Sequence, residues 1–315
     1  MSPSLEAVGL TKRFGSFTAL DHLNLKVEGA KCVGFLGPNG AGKTTTLKMF
    51  TDLIFPTEGE AFINGISVQK DRKGALSSCG DLIESPEIYP SLSPREALEL
   101  SGALRGMRSD EIATRTAVVL EEVKMSEWID EKVGRFSKGM KQRVNIAAAL
   151  LSDPDVVILD EPSTGLDPRG MAEVRQIVRG LKKSHRLIFM SSHILSEVVD
   201  VCDEVALLDH GKLLFADRLS NVADRLGGGV RAVEAEFTAP IDDPVVVGKI
   251  QPLPGVVSWS REAPNRITLQ VKGGLPEQAR LLALVANLQL GLVNFRESRS
   301  ALEEVYLREI SLGEA

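Results

Sequence analysis

The stretch "KCVGFLGPNGAGKTTTLKMF" (31–50) decides the fold. It opens as a short apolar run suited to a buried strand, passes through G-x-x-x-x-G-K-T from Gly37 to Thr44, and continues in a helical pattern. Glycines at this junction let successive backbone N–H groups wrap a phosphate at a helix N-terminus, while the lysine reaches the β and γ oxygens. Strand, loop and helix in this order are the context a phosphate loop requires. Gly37, Pro38, Asn39, Gly40, Ala41, Gly42, Lys43, Thr44 and Thr45 are therefore assigned to a nucleoside triphosphate, and the Thr44 hydroxyl to Mg²⁺.

Working outward, "LEAVGL" (5–10) and "HLNLKV" (22–27) alternate with period two, with a turn at Glu28-Gly29-Ala30, and "EAFINGISV" (60–68) carries a hairpin signal at Asn64-Gly65. From Ser93 the period changes. Ser93 and Glu96 make a capping box, Pro94 occupies the first helical position, and helical patterns follow through "DEIATRTAVVLEEVKM" (110–125). Beyond them "VVILD" (156–160), "RLIFMS" (186–191) and "EVALLD" (204–209) are nearly continuous apolar runs separated by helical patterns, as parallel strands buried on both faces should be. The first of these ends in Asp160 and Glu161. Asp160 suits direct or second-sphere support of Mg²⁺, and Glu161 suits the base that polarises an attacking water.

Three consecutive glycines (227–229) mark a linker and place a domain boundary near 228. After it come strand "AVEAEF" (232–237), a helical piece around 243–252, strands "VVSWS" (256–260) and "RITLQV" (266–271), helix "PEQARLLALVANLQ" (276–289) and strand "LVNF" (292–295). This β-α-β-β-α-β order predicts a small ferredoxin-like module. A last helix over 300–310 is expected from a Ser300/Glu303 capping box.

Composition narrows the classes. With 315 residues the chain can bury a large core. A net charge of −6 argues against a nucleic-acid partner held by phosphate neutralisation. Cys32, Cys79 and Cys202 are too dispersed for a disulfide framework or a zinc site, which fits a reducing compartment. No apolar run reaches the ~18–20 residues of a membrane helix and the N-terminus lacks a signal peptide's apolar segment, so the expected location is the cytoplasm.

The loop "GPNGAGKTT" (37–45), "FSKGMKQR" (136–143), "VVILDEPSTGLDP" (156–168) and "SSH" (191–193), in this order and spacing, resemble the ATP-binding subunit of an ABC transporter over about residues 5–218. The resemblance implies a P-loop NTPase of ABC type, with a parallel-sheet core, an antiparallel β subdomain and an α-helical subdomain (about 85–150) within domain 1–227, followed by a C-terminal α+β domain over 228–315. It further implies ATP and Mg²⁺ as ligands, head-to-tail pairing with a second copy or a related ATPase, and a separate polytopic transmembrane subunit. The chain would then lie on the cytoplasmic face of the membrane through that partner.

By the same resemblance, Ser137 and Gly139 touch the γ-phosphate bound by the partner ATPase, which would explain the glycine and cations opening this helix. The family's usual signature has two adjacent glycines after the serine; Lys138 replaces the first. Phe14 matches the aromatic that stacks on adenine, its plainer role being a core residue. Asp167 matches the aspartate that crosses the dimer interface, and Asp167-Pro168 is also a good helix start. His193 matches the histidine that senses the γ-phosphate. Glu84 stands where most of the family has a glutamine contacting Mg²⁺, or is a plain loop residue. Lys141 and Arg143 face solvent or the transmembrane partner. The "LIE" segment (82–84) resembles ATPases of peptide-antibiotic and lantibiotic exporters, with drug efflux also open, and "ALEEVYLREI" (301–310) resembles the closing helix of ATPases paired with ABC-2 type exporters. A soluble ATPase acting on ribosomes or nucleic acid is the alternative.

Overall fold

The computed structural model describes residues 2–84, 88–182, 184–222 and 230–297. The linker glycines and the helix expected over 300–310 lie outside the described residues. The chain divides into two compact units, Met1–Asp217 and Arg218–Ala315.

The first unit holds two sheets. Strands β1 (Ser4–Phe14), β2 (Phe17–Glu28), β4 (Glu58–Ile63) and β5 (Ile66–Ser67) form an antiparallel sheet in the order β2-β1-β4-β5. The turn from β4 to β5 runs through Asn64 (φ +51°) and Gly65 (φ +77°), the left-handed pair that a two-residue hairpin demands. The second sheet combines β3 (Lys31–Leu36) with β6 (Cys79–Leu82), β7 (Val156–Leu159), β8 (Leu187–Ser192), β9 (Glu204–Asp209) and β10 (Lys212–Arg218), in the order β10-β9-β3-β8-β7-β6. From β9 to β6 every pairing is parallel. All residues of β7 and β8 are buried, which is why these strands read as apolar runs and not as alternations.

Helices α1 (Lys43–Phe50) and α2 (Arg72–Ser77) follow β3 and β5. Then α3 (Pro94–Leu104), α4 (Ser109–Glu122) and α5 (Lys138–Leu150) make the helical region, and α6 (Pro168–Leu181) and α7 (Leu195–Val201) connect the late strands. The expected capping box at Ser93/Glu96 is formed, with both reciprocal hydrogen bonds. The core gathers Leu5, Leu10, Leu20 and Leu23 of the antiparallel sheet with Val33, Phe35 and Phe189 of the parallel sheet and Phe50 of α1. Phe35 and Phe50 both pack on Phe189, with ring centroids 5.2 and 6.2 Å away. Truncation of such a ring costs about 3–5 kcal/mol through lost burial and the cavity left behind. Cys32 and Cys202, 170 residues apart in sequence, bring their sulfurs to 3.6 Å as buried free thiols.

The second unit begins with α8 (Leu219–Val222) and contains β11 (Val230–Phe237), α9 (Asp243–Val245) running on as a π turn Val246–Ile250, β12 (Val256–Ala263), β13 (Arg266–Lys272), α10 (Leu275–Asn287) and β14 (Leu292–Glu297). Its sheet order is β12-β13-β11-β14 with every pair antiparallel, which is the ferredoxin-like arrangement. The unit has its own core, in which Val233, Ala235, Phe237, Ile267 and Leu269 meet Leu281 and Val285 of α10.

Candidate functional site

The loop between β3 and α1 turns sharply because its glycines permit it. Gly42, at the N-cap of α1, has φ +103°, and a Cβ there would meet the Ala19 carbonyl oxygen at 2.5 Å. Gly37 has no free space either, since a Cβ would strike the carbonyl oxygen of Leu208. The backbone thus encloses the start of α1, and Lys43, at its first turn, is only 5% exposed. Its ammonium donates to the carbonyls of Gly37 (2.8 Å) and Pro38 (3.0 Å) and lies 3.5 Å from Glu161 Oε1. Burial pushes its pKa down, opposed by the carboxylates of Glu161 and Asp160.

The C-terminal end of β7 supplies the acidic partners, and that of β8 the hydroxyl that fixes them. Ser191 Oγ donates to Asp160 Oδ1 (2.6 Å), and Thr44 Oγ1 donates to the same oxygen (3.2 Å). Ser191 Oγ also accepts from the Glu161 backbone N–H (2.9 Å), so one hydroxyl fixes both acidic residues. Glu161 sits at φ +44°, a conformation that side-chain-bearing residues rarely adopt and that sites hold at a cost of about 1–3 kcal/mol. Its Oε2 is engaged twice, by Thr164 Oγ1 (2.8 Å) and His193 Nδ1 (3.0 Å), which leaves Oε1 toward Lys43. Burial raises the Glu161 pKa, but the Thr164 hydroxyl, His193 and Lys43 together outweigh it and hold the carboxyl below the ordinary glutamate value. Thr44 and Asp160 offer two hard oxygens at the mouth of the loop, and no cluster of three or more metal-ligating side chains exists among the described residues. That donor set fits Mg²⁺, which is commonly bound through one or two protein oxygens plus substrate phosphates.

A cavity of about 260 Å³ joins this loop to Phe14, Phe17 and Ala19. Phe14 is 51% exposed and Phe17 62%. The two close the β1–β2 hairpin as cross-strand neighbours, and Lys12 Nζ lies 5.0 Å from the Phe14 ring centre. The core alternative for Phe14 is therefore excluded by its exposure, and two exposed rings face the cavity instead of one.

Ser137, Gly139 and Asp167 gather at a separate cavity of about 490 Å³, between the starts of α5 and α6, with Trp128 and Arg143 on its walls. Ser137 is the N-cap of α5, its hydroxyl accepting from the Met140 N–H (3.2 Å), and Asp167 is the N-cap of α6, accepting from the Gly170 N–H (3.3 Å). The two helix starts meet glycine to glycine, where a Cβ on Gly139 would lie 3.4 Å from the Gly170 Cα. Arg143 turns to Glu173 (3.4 Å) and the Lys124 carbonyl (3.4 Å).

Glu84, at φ +53°, pairs with Lys48 of α1, and its carboxylate is mostly exposed. The structure thus brings Lys43, Thr44, Asp160, Glu161 and His193 into one network, Phe14 and the loop residues to its cavity, and Ser137, Gly139 and Asp167 to another; Glu84 joins neither network. Sequence reasoning missed Phe17, Thr164 and Ser191. Phe17 was legible as a second aromatic three residues after Phe14, whereas the two hydroxyl residues lie in "STG" and "SSH" with no signal beyond their motif neighbours. It also missed that Ser137 caps its own helix, a local reason for a serine there.

A family model for ABC transporters matches residues 20–164. The chain is 43% identical to a bacitracin transport ATP-binding protein of Bacillus licheniformis, over 68% of this chain and 69% of that one. It is 34% identical to a Nod factor export ATP-binding protein of Ralstonia nicotianae, over 67% and 66%. An uncharacterized ABC transporter ATP-binding protein of Bacillus subtilis is 30% identical over 97% of this chain and 99% of its own length. Among solved structures, an ATP-binding subunit of an ABC transporter superposes with a TM-score of 0.63 at 29% identity, covering 71% of this chain and 93% of that one.

Proposed function

Because the chain belongs to the ATP-binding subunits of ABC transporters, we propose that it hydrolyses ATP between two head-to-tail ATPase subunits and so drives export through a separate transmembrane subunit. The observation that carries this reading is the shared network of Lys43, Thr44, Asp160, Glu161 and His193 at one end of the parallel strands. None of these residues is adjacent to all the others in sequence, and only the fold makes them a set.

In this mechanism the triphosphate enters the loop 37–45 and Lys43 exchanges the Gly37 and Pro38 carbonyls for phosphate oxygens. Thr44 and Asp160 would hold Mg²⁺, which supplies charge neutralisation at the phosphates. Once Lys43 has turned to phosphate, Glu161 Oε1 is free to take a proton from the attacking water, while Thr164 and His193 hold Oε2 in place. Phe14 and Phe17 flank the base. Ser137, Gly139 and Asp167 complete the partner's site, either in a second copy or in a related ATPase. Residues 1–227 form the ATPase domain and 228–315 an accessory domain. In this reading the chain lies on the cytoplasmic face, held by its transmembrane partner; no described helix is long and apolar enough to cross a membrane. A peptide antibiotic is the favoured cargo class, supported by the bacitracin transport relative.

The test is Glu161→Gln. The variant is expected to bind ATP, to dimerise with it, and to turn over more slowly by about 10² to 10⁴, the usual worth of a positioned general base. Full turnover would remove Glu161 from the mechanism. Affinity purification of the ATP-trapped variant from native membranes should recover a polytopic protein; recovery with ribosomes or nucleic acid instead would refute the transport reading.

A further inference from the structure

Ser191 is a buried polar residue with no part in the proposed mechanism. Strand β8 sends Leu187 and Phe189 into the core, and Ser191, next on the same face by the two-residue period, is fully buried where a third apolar side chain would pack. A hydroxyl in such a place costs free energy unless it is hydrogen-bonded. Here it is bonded in both directions, as donor to Asp160 Oδ1 (2.6 Å) and as acceptor of the Glu161 N–H (2.9 Å). The next serine, on the opposite face, serves another end. Ser192 Oγ accepts from the Ile194 N–H (2.9 Å) and donates to the Glu197 carboxylate (3.0 Å), which shapes the turn into α7.

The bond to the Glu161 N–H bears on the base. Strand β7 ends at Leu159, opposite Met190 of β8, and the Asp160 N–H still bonds the Leu82 carbonyl of β6. At Glu161 the chain leaves the sheet with φ +44°, and its N–H is taken by a side chain, the Ser191 hydroxyl. Backbone strain of this kind persists where the surroundings over-determine it. Thr164 and His193 hold the carboxylate end of Glu161, and Ser191 holds its backbone end. A hydroxyl that donates to a carboxylate is also the better acceptor for the next N–H, so the charge of Asp160 tightens the hold on Glu161.

We infer that Ser191 is a positioning residue for the general base, acting on Glu161 through its backbone N–H and tying it to Asp160 by one hydroxyl. The inference rests on the proposed role of Glu161. Ser191 takes no proton in this role; it sets where Glu161 Oε1 stands.

The experiment is a double-mutant cycle on the full chain, read as phosphate release at saturating ATP and Mg²⁺, with ATP affinity in the absence of Mg²⁺ and the thermal midpoint measured on the same samples. Ser191→Ala should lower kcat by about 10- to 100-fold, the scale of a small misplacement of a catalytic group, and leave the Mg²⁺-free ATP affinity of the single subunit unchanged. In the Glu161→Gln background the same substitution should change turnover by less than about twofold, because the group through which Ser191 acts is gone. An equal fall in both backgrounds would overturn the inference, since it would place the effect on Asp160 or on the fold, and the base reading would stand. An unchanged kcat in Ser191→Ala would overturn it too. Full turnover in Glu161→Gln would instead remove the base, and this role with it. Should Ser191→Ala lose ATP binding altogether, Ser191→Cys, close in size but a weaker donor and acceptor, goes through the same cycle and is held to the same outcomes.

Discussion

The phosphate-loop network and the Ser137–Asp167 cavity are built on opposite terms. In the first, each charged group already has hydrogen-bonding or ionic partners: Lys43 has Glu161 and two carbonyls, Asp160 has two hydroxyls, and Glu161 has Thr164 and His193. In the second, the serine and the aspartate do nothing beyond capping their own helices, and Lys138 has no partner among the described residues. The difference teaches where binding must rearrange the protein and where it must only complete it. Nucleotide entering the loop has to displace internal bonds, most directly those of Lys43. In the proposed dimer, a phosphate arriving at the start of α5 would displace no such ion pair.

The largest effect should come from breaking the self-satisfied region. Lys43→Ala is expected to weaken ATP binding by at least ~100-fold in a single subunit, at any protein concentration, since two or more charge-assisted hydrogen bonds of about 1.5–3 kcal/mol each are lost. Titration with a fluorescent ATP analogue measures it, and an unchanged affinity would refute the rearrangement described above. Next in size, Ser137→Ala should leave that single-subunit affinity intact and lower turnover by about 10- to 100-fold, as one hydrogen bond to a charged group is worth. A loss of binding in the isolated subunit would erase the contrast between the regions. Phe14→Ala and Phe17→Ala sharpen it further. Stacking on a base is worth roughly 1–3 kcal/mol, so the ring that carries adenine should cost about tenfold in ATP affinity and little in affinity for free triphosphate, and comparison of the two variants shows which ring it is.

The smallest effect concerns pH. The Glu161 carboxyl is held below its ordinary value, so it is ionised throughout the neutral range, and the stability this contributes is present above the unfolded value of about 4.3 and lost as pH falls through the lower folded one. Thr164→Val removes the leading cause of that lowering. Turnover should fall only a few-fold, and the acid limb of its pH profile should move upward; a profile with an unmoved acid limb would show that Thr164 does not set the charge of Glu161.

Much of this was legible in the chain because local rules and tertiary demands agree there. The strand, glycine loop and helix of 31–50 form in the structure as read, the capping box at Ser93 closes, and the β-α-β-β-α-β order beyond the glycines gives the expected strand arrangement. What escaped was pairing across the fold. Glu84, which the resemblance would bring to Mg²⁺ or leave as a plain loop residue, pairs with Lys48 on the neighbouring helix, a contact no local pattern announced. Ser191 links two acidic residues thirty positions away, and Cys32 meets Cys202; such contacts have no periodic signature. Phe14 could be read either as core or as exposed until the hairpin placed it beside Phe17 in the open.

The near-touching of α5 and α6 through Gly139 and Gly170 has a bearing on timing. With no side chains between them, the two helix starts cannot slide independently without opening a gap or a clash, so they behave as one jaw and not as two fingers. A neighbouring subunit would then meet Ser137 and Asp167 together or not at all. In the proposed dimer, grip on the nucleotide would then be a single event with a threshold, not a sum of independent contacts.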